Sequence, residues 1–368
     1  MVRQLPPFLC YTMRQLPPFL CYTMSNIKKL VYNYNISNKG RNDFMSNVYV
    51  LVGAPGVGKS TWVTNHMTKH DLVLESDAVR MELYGELKQS DPSKVFRVMN
   101  KRLKEAIKSG SYTSIFYDAT NTNRRRRAAL YRECKSWGAK TVHTVFILEP
   151  LSTIMIRNTQ RPTYKQVDEE CILKYYKSIQ APRVGVDCDS IIVKGSFVDF
   201  ASEIAEHIDE PHYSPYHAET IREHIQSAIN NANSDILKEV AKFHDLGKSV
   251  CRTDDDDNSI HSNYVREQLG RFCRYKNHEF VSAMYYLAYM NDNNLLDNDR
   301  SHQILETIYQ HMNAHQVISK KQIQRNKLSE SDLELIRQFQ RVDTISKVID
   351  SELHSTFFKL REDSRKNR

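Results

Sequence analysis

The apolar positions of the chain follow two regimes. Between residues 48 and 195, short β-branched runs alternate with stretches of helical spacing, whereas from His217 onward the spacing is almost all helical. Val48–Val52, Leu72–Glu75, Tyr112–Tyr117, Thr141–Leu148 and Asp189–Gly195 predict strands. Thr61 can start a helix that runs to His70. In Ser93–Ser109, Val95, Val98, Met99, Leu103 and Ile107 share one helical face, and Val167–Ile179 predicts a further helix. Strands alternating with helices predict an α/β domain with a parallel sheet and flanking helices over 45–200, followed by an all-α domain over 217–350. Residues 201–216, with Pro211 and Pro215, read as a linker, and 351–368 as a charged tail, frayed from Lys359 to Arg368. At the other end, Arg3–Met13 is repeated as Arg14–Met24, and each copy contains Pro-Pro, which forbids a continuous helix. Residues 1–44 therefore read as a disordered leader dispensable for chemistry, with Met13, Met24 and Met45 as alternative starts.

The bulk numbers support two domains. The length of 368 residues is long for one, and 40% hydrophobic residues supply material for real cores. No apolar run approaches the roughly 18 residues of a membrane span, and no secretion signal is read at Met1. The seven cysteines are scattered without a Cys-x-x-Cys pair, as expected of reduced thiols in a cytoplasm, a host's if the gene is phage-borne. The net charge of +8 hides an asymmetry. Residues 45–200 hold 24 Lys/Arg against 16 Asp/Glu (net +8), and 201–368 hold 22 against 27 (net −5). A basic first domain suits a polyanionic substrate. An acidic second domain suits metal ligation, or simply solubility.

The first strand runs into Gly53-Ala-Pro-Gly56-Val-Gly58-Lys59-Ser60-Thr61, a P-loop in its strand–loop–helix context. Its glycines let backbone N–H groups curl around phosphate oxygens at a helix N-terminus. Lys59 is expected to reach the β- and γ-phosphates of ATP, and the Ser60 hydroxyl to sit on Mg²⁺. The second strand ends at Ser76-Asp77, where a carboxylate either deprotonates an attacking hydroxyl or caps the next helix. The third ends at Asp118-Ala-Thr-Asn121-Thr-Asn123, a polar cluster pointing into the site. Asp118 either supports Mg²⁺ or binds substrate. Arg124–Arg127 opens a helix against its dipole. Such a stretch is either a contact to a nucleic-acid backbone or a solvated basic face. Arg157 and Arg161, one helical turn apart, suit a transferring phosphoryl group.

The segments Gly53–Thr61, Ser76–Arg80, Asp118–Asn123, Arg157–Thr163 and Tyr175–Ile179 follow one another as in phage-type 5′-hydroxyl polynucleotide kinases, and the resemblance covers about 46–196. It implies Asp77 as general base, Arg80 on the acceptor-side phosphate, Asp118 in the acceptor pocket, and Arg157 and Arg161 as lid arginines. The aspartate-nucleophile phosphatase of the best-known member is not implied, since no Asp-x-Asp stands in a fitting context.

In the second half, His217 and His224 are seven apart and so predicted to share a helix face. His244-Asp245 precedes a break at Gly247, His278 opens a helix, His311 and His315 lie on a later one, and Asp343 comes near the end. Imidazoles and carboxylates together suit a divalent ion. The series resembles the HD superfamily of metal-dependent phosphohydrolases over about 212–350. That implies His224, His244, Asp245 and Asp343 as ligands of Mn²⁺, Ni²⁺, Fe²⁺ or Mg²⁺, with His217 competing for the first position. His278 and His311 would add a second metal, and Lys248 a contact to substrate phosphate.

The two resemblances together imply a bifunctional end-healing enzyme. One site would move the ATP γ-phosphate to a 5′-hydroxyl of RNA or DNA, tRNA included. The other would hydrolyse a 2′,3′-cyclic or 3′-terminal phosphate, and an RNA ligase partner would seal. The alternatives are a small-molecule or nucleoside P-loop kinase with an HD nucleotidase, and an ATP-gated end-binding module.

Overall fold

The computed structural model describes residues 45–87, 91–314 and 318–366; the leader at 1–44 and His315 lie outside them. The described residues belong to one compact unit.

The first half is a parallel five-stranded sheet with flanking helices, ordered β2-β3-β1-β4-β5. Its strands are β1 (Asn47–Val52), β2 (Leu72–Glu75), β3 (Ser114–Asp118), β4 (Thr141–Ile147) and β5 (Ser190–Lys194). The crossing helices are α1 (Lys59–His66), α2 (Ser76–Tyr84), α3 (Pro92–Ser109), α4 (Arg124–Trp137), α5 (Leu151–Thr159) and α6 (Glu169–Tyr176). Alternation along β1 explains the layering. Val48 and Val50 enter one core with Val95, Met99, Leu103 and Leu130. Leu51 faces the other with Trp62, Phe116 and Tyr176. The β2–β3 register sets Glu75 against Asp118, so the ends of these strands lie side by side. The carboxyl ends of β1, β2 and β3 thus converge where ligands of open parallel sheets bind.

The second half is largely helical: α7 (Ala201–Ala205), α8 (Ile221–Asn231), α9 (Asp235–Phe243), α10 (Lys248–Cys251), α11 (Ile260–Leu269), α12 (His278–Asp292), α13 (Asp299–Ala314), α14 (Lys320–Asn326), α15 (Glu330–Ile345) and α16 (Ser351–Lys366). A two-stranded ribbon pairs Thr253–Asp254 with Cys273–Arg274.

Two expectations are corrected here. Residues 201–216 are no linker. Ile204 and Ile208, together with Phe200 just before them, are buried in a core that runs from the sheet through Phe243, Met284, Ile308 and Phe339. The two halves therefore share one hydrophobic interior. Nor are residues 351–366 merely a charged tail: they form α16, which runs through the stretch expected to fray from Lys359. Leu353 and Phe357 bury one face of α16 against Val265 and Phe272. Four apolar residues at helical spacing (Leu353, Phe357, Phe358, Leu360) carried that signal, and the charge of the other face hid it.

Candidate active sites

The P-loop lies between β1 and α1. Gly58 is the N-cap of α1 at φ +103°, a left-handed conformation that favours glycine. Gly56 is also left-handed, and Gly53 donates its N–H to the Thr120 carbonyl. Lys59 is buried and donates to the carbonyls of Gly53 (3.0 Å) and Ala54 (2.9 Å). Burial lowers its pKa, the carboxylates of Asp118 and Asp77 oppose that, and Arg161 adds to it. Two acids and an arginine therefore surround the phosphate lysine, though 18 to 102 residues separate them from it in sequence.

Ser60 Oγ donates to Asp118 Oδ2 at 2.8 Å. A hydroxyl at the end of a P-loop and a buried aspartate at the end of a neighbouring strand are the pair that holds Mg²⁺ in P-loop enzymes. This geometry favours the metal-supporting role for Asp118 over a place in the acceptor pocket. Thr61 sits next on α1 with its side chain exposed. Asp77 lies in the first turn of α2, whose cap is Glu75. Its half-exposed carboxylate pairs with Arg80 Nη1 at 2.5 Å. Arg157, at the far end of α5, donates to the Val57 carbonyl of the loop at 3.3 Å and pairs with Glu149 at 3.2 Å. Arg161 Nη1 is buried with no hydrogen-bond partner among the described residues.

Two expected substrate residues have structural employment. Asn121, at φ +43°, donates its amide to the Leu51 carbonyl at 2.8 Å and ties the loop to β1. Arg124 is 2% exposed. Its Nη1 binds both Glu306 oxygens at 3.0 and 2.9 Å, its Nε binds the Ala181 carbonyl, and its guanidinium lies 3.8 Å from the Tyr309 ring centroid. Arg127 is likewise buried, on Asp187. The helix-opening arginine run breaks the dipole preference because tertiary carboxylates neutralise two of its members, and only Arg125 and Arg126 face solvent.

The histidine–aspartate cluster is built by α8, the α9–α10 junction, α12, α13 and α15. Gly247 follows His244-Asp245, and a Cβ there would lie 2.3 Å from the His278 carbonyl oxygen. The helix breaks over 244–247, between α9 and α10, as the sequence predicts, and glycine at 247 also serves the close approach of α12. Asp245 faces two groups. On the Oδ2 side, His244 Nε2 lies at 3.2 Å and His224 Nε2 at 3.5 Å. Asp343 Oδ1 completes that group, 3.0 Å from His224 Nε2. On the Oδ1 side, His278 Nε2 lies at 3.1 Å and His311 Nε2 at 3.7 Å. All six expected ligands other than His217 therefore meet.

His217 precedes α8 rather than sharing its face. It stacks on His212 with ring centroids 4.2 Å apart, and its Nδ1 meets Glu219 Oε1 at 2.8 Å. The same Oε1 lies 3.1 Å from His224 Nδ1. Glu219 and His212 were not expected from sequence. They sit in a turn whose spacing has no period, and only their burial reveals them.

The donor set fits a cation. His244, His278 and His311 each place Nδ1 on a backbone carbonyl, at 2.9, 2.7 and 2.7 Å. Their Nδ1–H groups donate there, which leaves Nε2 lone pairs converging: His244 on His224 at 3.2 Å and His278 on His311 at 3.1 Å. Buried lone pairs facing one another need a positive charge between them. Burial alone would raise the Asp245 carboxyl, but His244 and Lys248 outweigh it and hold it well below the usual range. Lys248 Nζ lies 2.7 Å from Asp245 and 3.1 Å from His212 Nε2, so it is engaged inside the cluster.

Residues 48–182 match the family model described as AAA domain. The first half has the P-loop fold. Among solved structures, the chain is similar to the Pnkp1/Rnl/Hen1 RNA repair complex, with 18% identity over 38% of this chain and 47% of that one, and a TM-score of 0.32. A second Pnkp1/Rnl/Hen1 complex gives 20% identity over 35% and 45%, with a TM-score of 0.28. A gluconokinase from Sinorhizobium meliloti 1021 gives 18% over 41% and 82%, with a TM-score of 0.29. The chain spans less than half the length of the two repair-complex chains. No curated protein matches the sequence. No helix among the described residues is long and apolar enough to cross a membrane.

Proposed function

We propose that the chain is a bifunctional nucleic-acid end-healing enzyme: a polynucleotide 5′-hydroxyl kinase joined to an HD-type metal-dependent phosphohydrolase. The observation that carries the reading is that one compact unit holds a P-loop and a buried histidine–aspartate cluster. In the first, Ser60 lies on Asp118 and Arg157 over the loop. In the second, a buried carboxylate, Asp245, is shared between two histidine groups. The order of the five kinase segments in the sequence supports a polynucleotide acceptor.

In the first centre the P-loop amides, Lys59 and Arg161 hold the ATP phosphates. Ser60 and Asp118 are the residues that would hold Mg²⁺, which supplies charge neutralisation on the phosphates. Asp77, paired with Arg80, takes the proton of the attacking 5′-hydroxyl. Arg157 covers the loop. In the second centre His224, His244, Asp245 and Asp343 would hold one divalent ion, and Asp245, His278 and His311 another. Such ions activate a water for attack on phosphorus. Glu219 orients His224, and the backbone carbonyls fix the tautomers of the other three rings. Lys248 balances the charge of Asp245.

A short RNA with a 5′-hydroxyl and a 2′,3′-cyclic phosphate, labelled ATP, and Mg²⁺ or Mn²⁺ test the reading. Lys59→Ala is expected to abolish 5′ labelling and keep 3′-end processing, and Asp245→Ala the reverse. Label on a nucleoside or sugar in place of RNA would overturn it. One observation favours that second reading, a small-molecule kinase with a nucleotidase: Arg124 and Arg127 are spent internally, so the arginine run offers two free cations, not four. ATP-dependent end binding without turnover would instead make the chain a recognition module, and RNA preference, tRNA included, is read from the same assay with matched DNA.

A further inference from the structure

Helix α5 connects the phosphate loop to the rest of the molecule. A Cβ at Gly56 would lie 3.5 Å from Ile154 Cγ2, so the middle of α5 rests on the loop, and Arg157 in its last turn reaches the Val57 carbonyl. The start of this helix has no local support. Its N-cap is Pro150, which has neither an N–H nor a capping side chain. The first donor, Leu151 N–H, is instead taken by Glu203 Oε2 at 2.7 Å. Glu203 lies on α7, in the segment read from sequence as a linker and outside the 48–182 family match. Its other oxygen accepts from Tyr176 of α6 at 2.6 Å and from Tyr285 of α12, the helix that His278 opens. Burial holds both phenols well above their ordinary pKa, so they remain donors. One carboxylate therefore joins three helices and places a negative charge where the α5 dipole favours it.

We propose that Glu203 is a positioning residue for the kinase site: it caps α5 from the C-terminal half and thereby sets Arg157 and Ile154 against the phosphate loop. This rests on the kinase reading of the P-loop and extends it, because the site is then completed by a residue beyond the P-loop domain itself. Glu203 touches neither nucleotide nor acceptor. It acts through the position of α5.

The test uses the full chain and Mg-ATP binding by calorimetry without any acceptor, followed by steady-state transfer to a 5′-hydroxyl oligonucleotide. Glu203→Ala is expected to weaken ATP binding by about tenfold or more, the loss of a charge-assisted bond. KM for ATP is expected to rise with it, while bound Mn²⁺ per chain stays at the wild-type level. Glu203→Gln keeps one oxygen acceptor and is expected to lose about threefold, within the range of a neutral hydrogen bond replacing a charged one. In an Arg157→Ala background, Glu203→Ala is expected to add little, because both changes remove the same contact to the loop. Wild-type ATP affinity in Glu203→Ala, or full additivity with Arg157→Ala, overturns the proposal. If Glu203→Ala does not fold, Glu203→Gln decides: wild-type affinity there overturns it, and the intermediate loss supports it. A wild-type protein that phosphorylates no polynucleotide end, yet whose ATP affinity responds as stated, defeats the proposed acceptor and leaves this inference standing.

Discussion

Asp77 lies in the first turn of α2, past the cap position, which Glu75 occupies, and its carboxylate pairs with Arg80. It does not hold the cap position, and its proposed role is proton abstraction. Asp77→Asn removes the base while keeping size and shape. The expected result is a fall in transfer rate of about 10²–10⁴-fold, the usual contribution of a positioned base. ATP binding by calorimetry should stay near wild type, since the proposed role of Asp77 is on the acceptor hydroxyl. Unchanged turnover would remove Asp77 from the chemistry. Residues of this kind were legible because their signal is local: the P-loop and the aspartates at strand ends announce themselves within ten residues of chain. Arg124 was misread for the opposite reason. Four arginines at a helix start look like unspent charge, and only the fold brings Glu306, 182 residues away, onto the first of them. Glu219 and His212 were missed because a turn between Pro211 and Ile221 has no periodicity to flag an inward-facing side chain.

At the scale of elements, close approach matters more than composition. Gly247 lets the α9–α10 junction press against α12, and the proposed metal ligands His244, Asp245 and His278 come from the elements so joined. Gly247→Ala would force a Cβ within 2.3 Å of a backbone carbonyl that no side-chain rotation can relieve. Overpacking of this kind typically costs about 1–3 kcal/mol. Here it should also separate the two histidine groups. The expected outcome is a lower Tm together with loss of Mn²⁺ binding by elemental analysis, while Mg-ATP binding persists. Retained metal stoichiometry would mean that the junction tolerates the displacement. Helix α16 gives a parallel case. Phe357→Ala should cost about 3–5 kcal/mol if its burial against Val265 and Phe272 is part of the folded core, and denaturant unfolding measures it. A tail that frays would show no change. The strands and helices of the first half were legible to within a few residues because period and turn residues agree there. The apolar residues of 201–216 and 351–366 were hidden by proline and charge among them.

At the scale of the whole molecule, the division into two domains that length and pattern suggest does not extend to the interior. Residues from β1, β4, α6, α7, α12, α13 and α15 contribute to one apolar core, and polar links cross the same region: Arg124 on Glu306, Arg183 on Asp332 at 2.7 Å, and Glu203 on Tyr176 and Tyr285. Glu306 stands five residues before His311 on α13, and Arg124 follows the Asp118–Asn123 loop. The buried pair thus joins the loop beside the P-loop site to the helix that carries His311. Removing one member of such a pair strands the other charge away from water, at a cost of about 3–5 kcal/mol, whereas removing both strands neither of the two, and Arg183, which also lies 3.6 Å from Glu306, keeps Asp332. Arg124→Met and Glu306→Met singly should therefore each destabilise strongly, and the double variant should be more stable than either single change. A double-mutant cycle in guanidinium chloride reads the coupling. Because the core is shared, the wild-type transition should also be single, with kinase-side and cluster-side probes (Trp62 fluorescence and Mn²⁺ release) coinciding. Two separated transitions, with the Arg124 and Glu306 changes additive, would mean that the halves fold independently and that the pair bridges them without joining them.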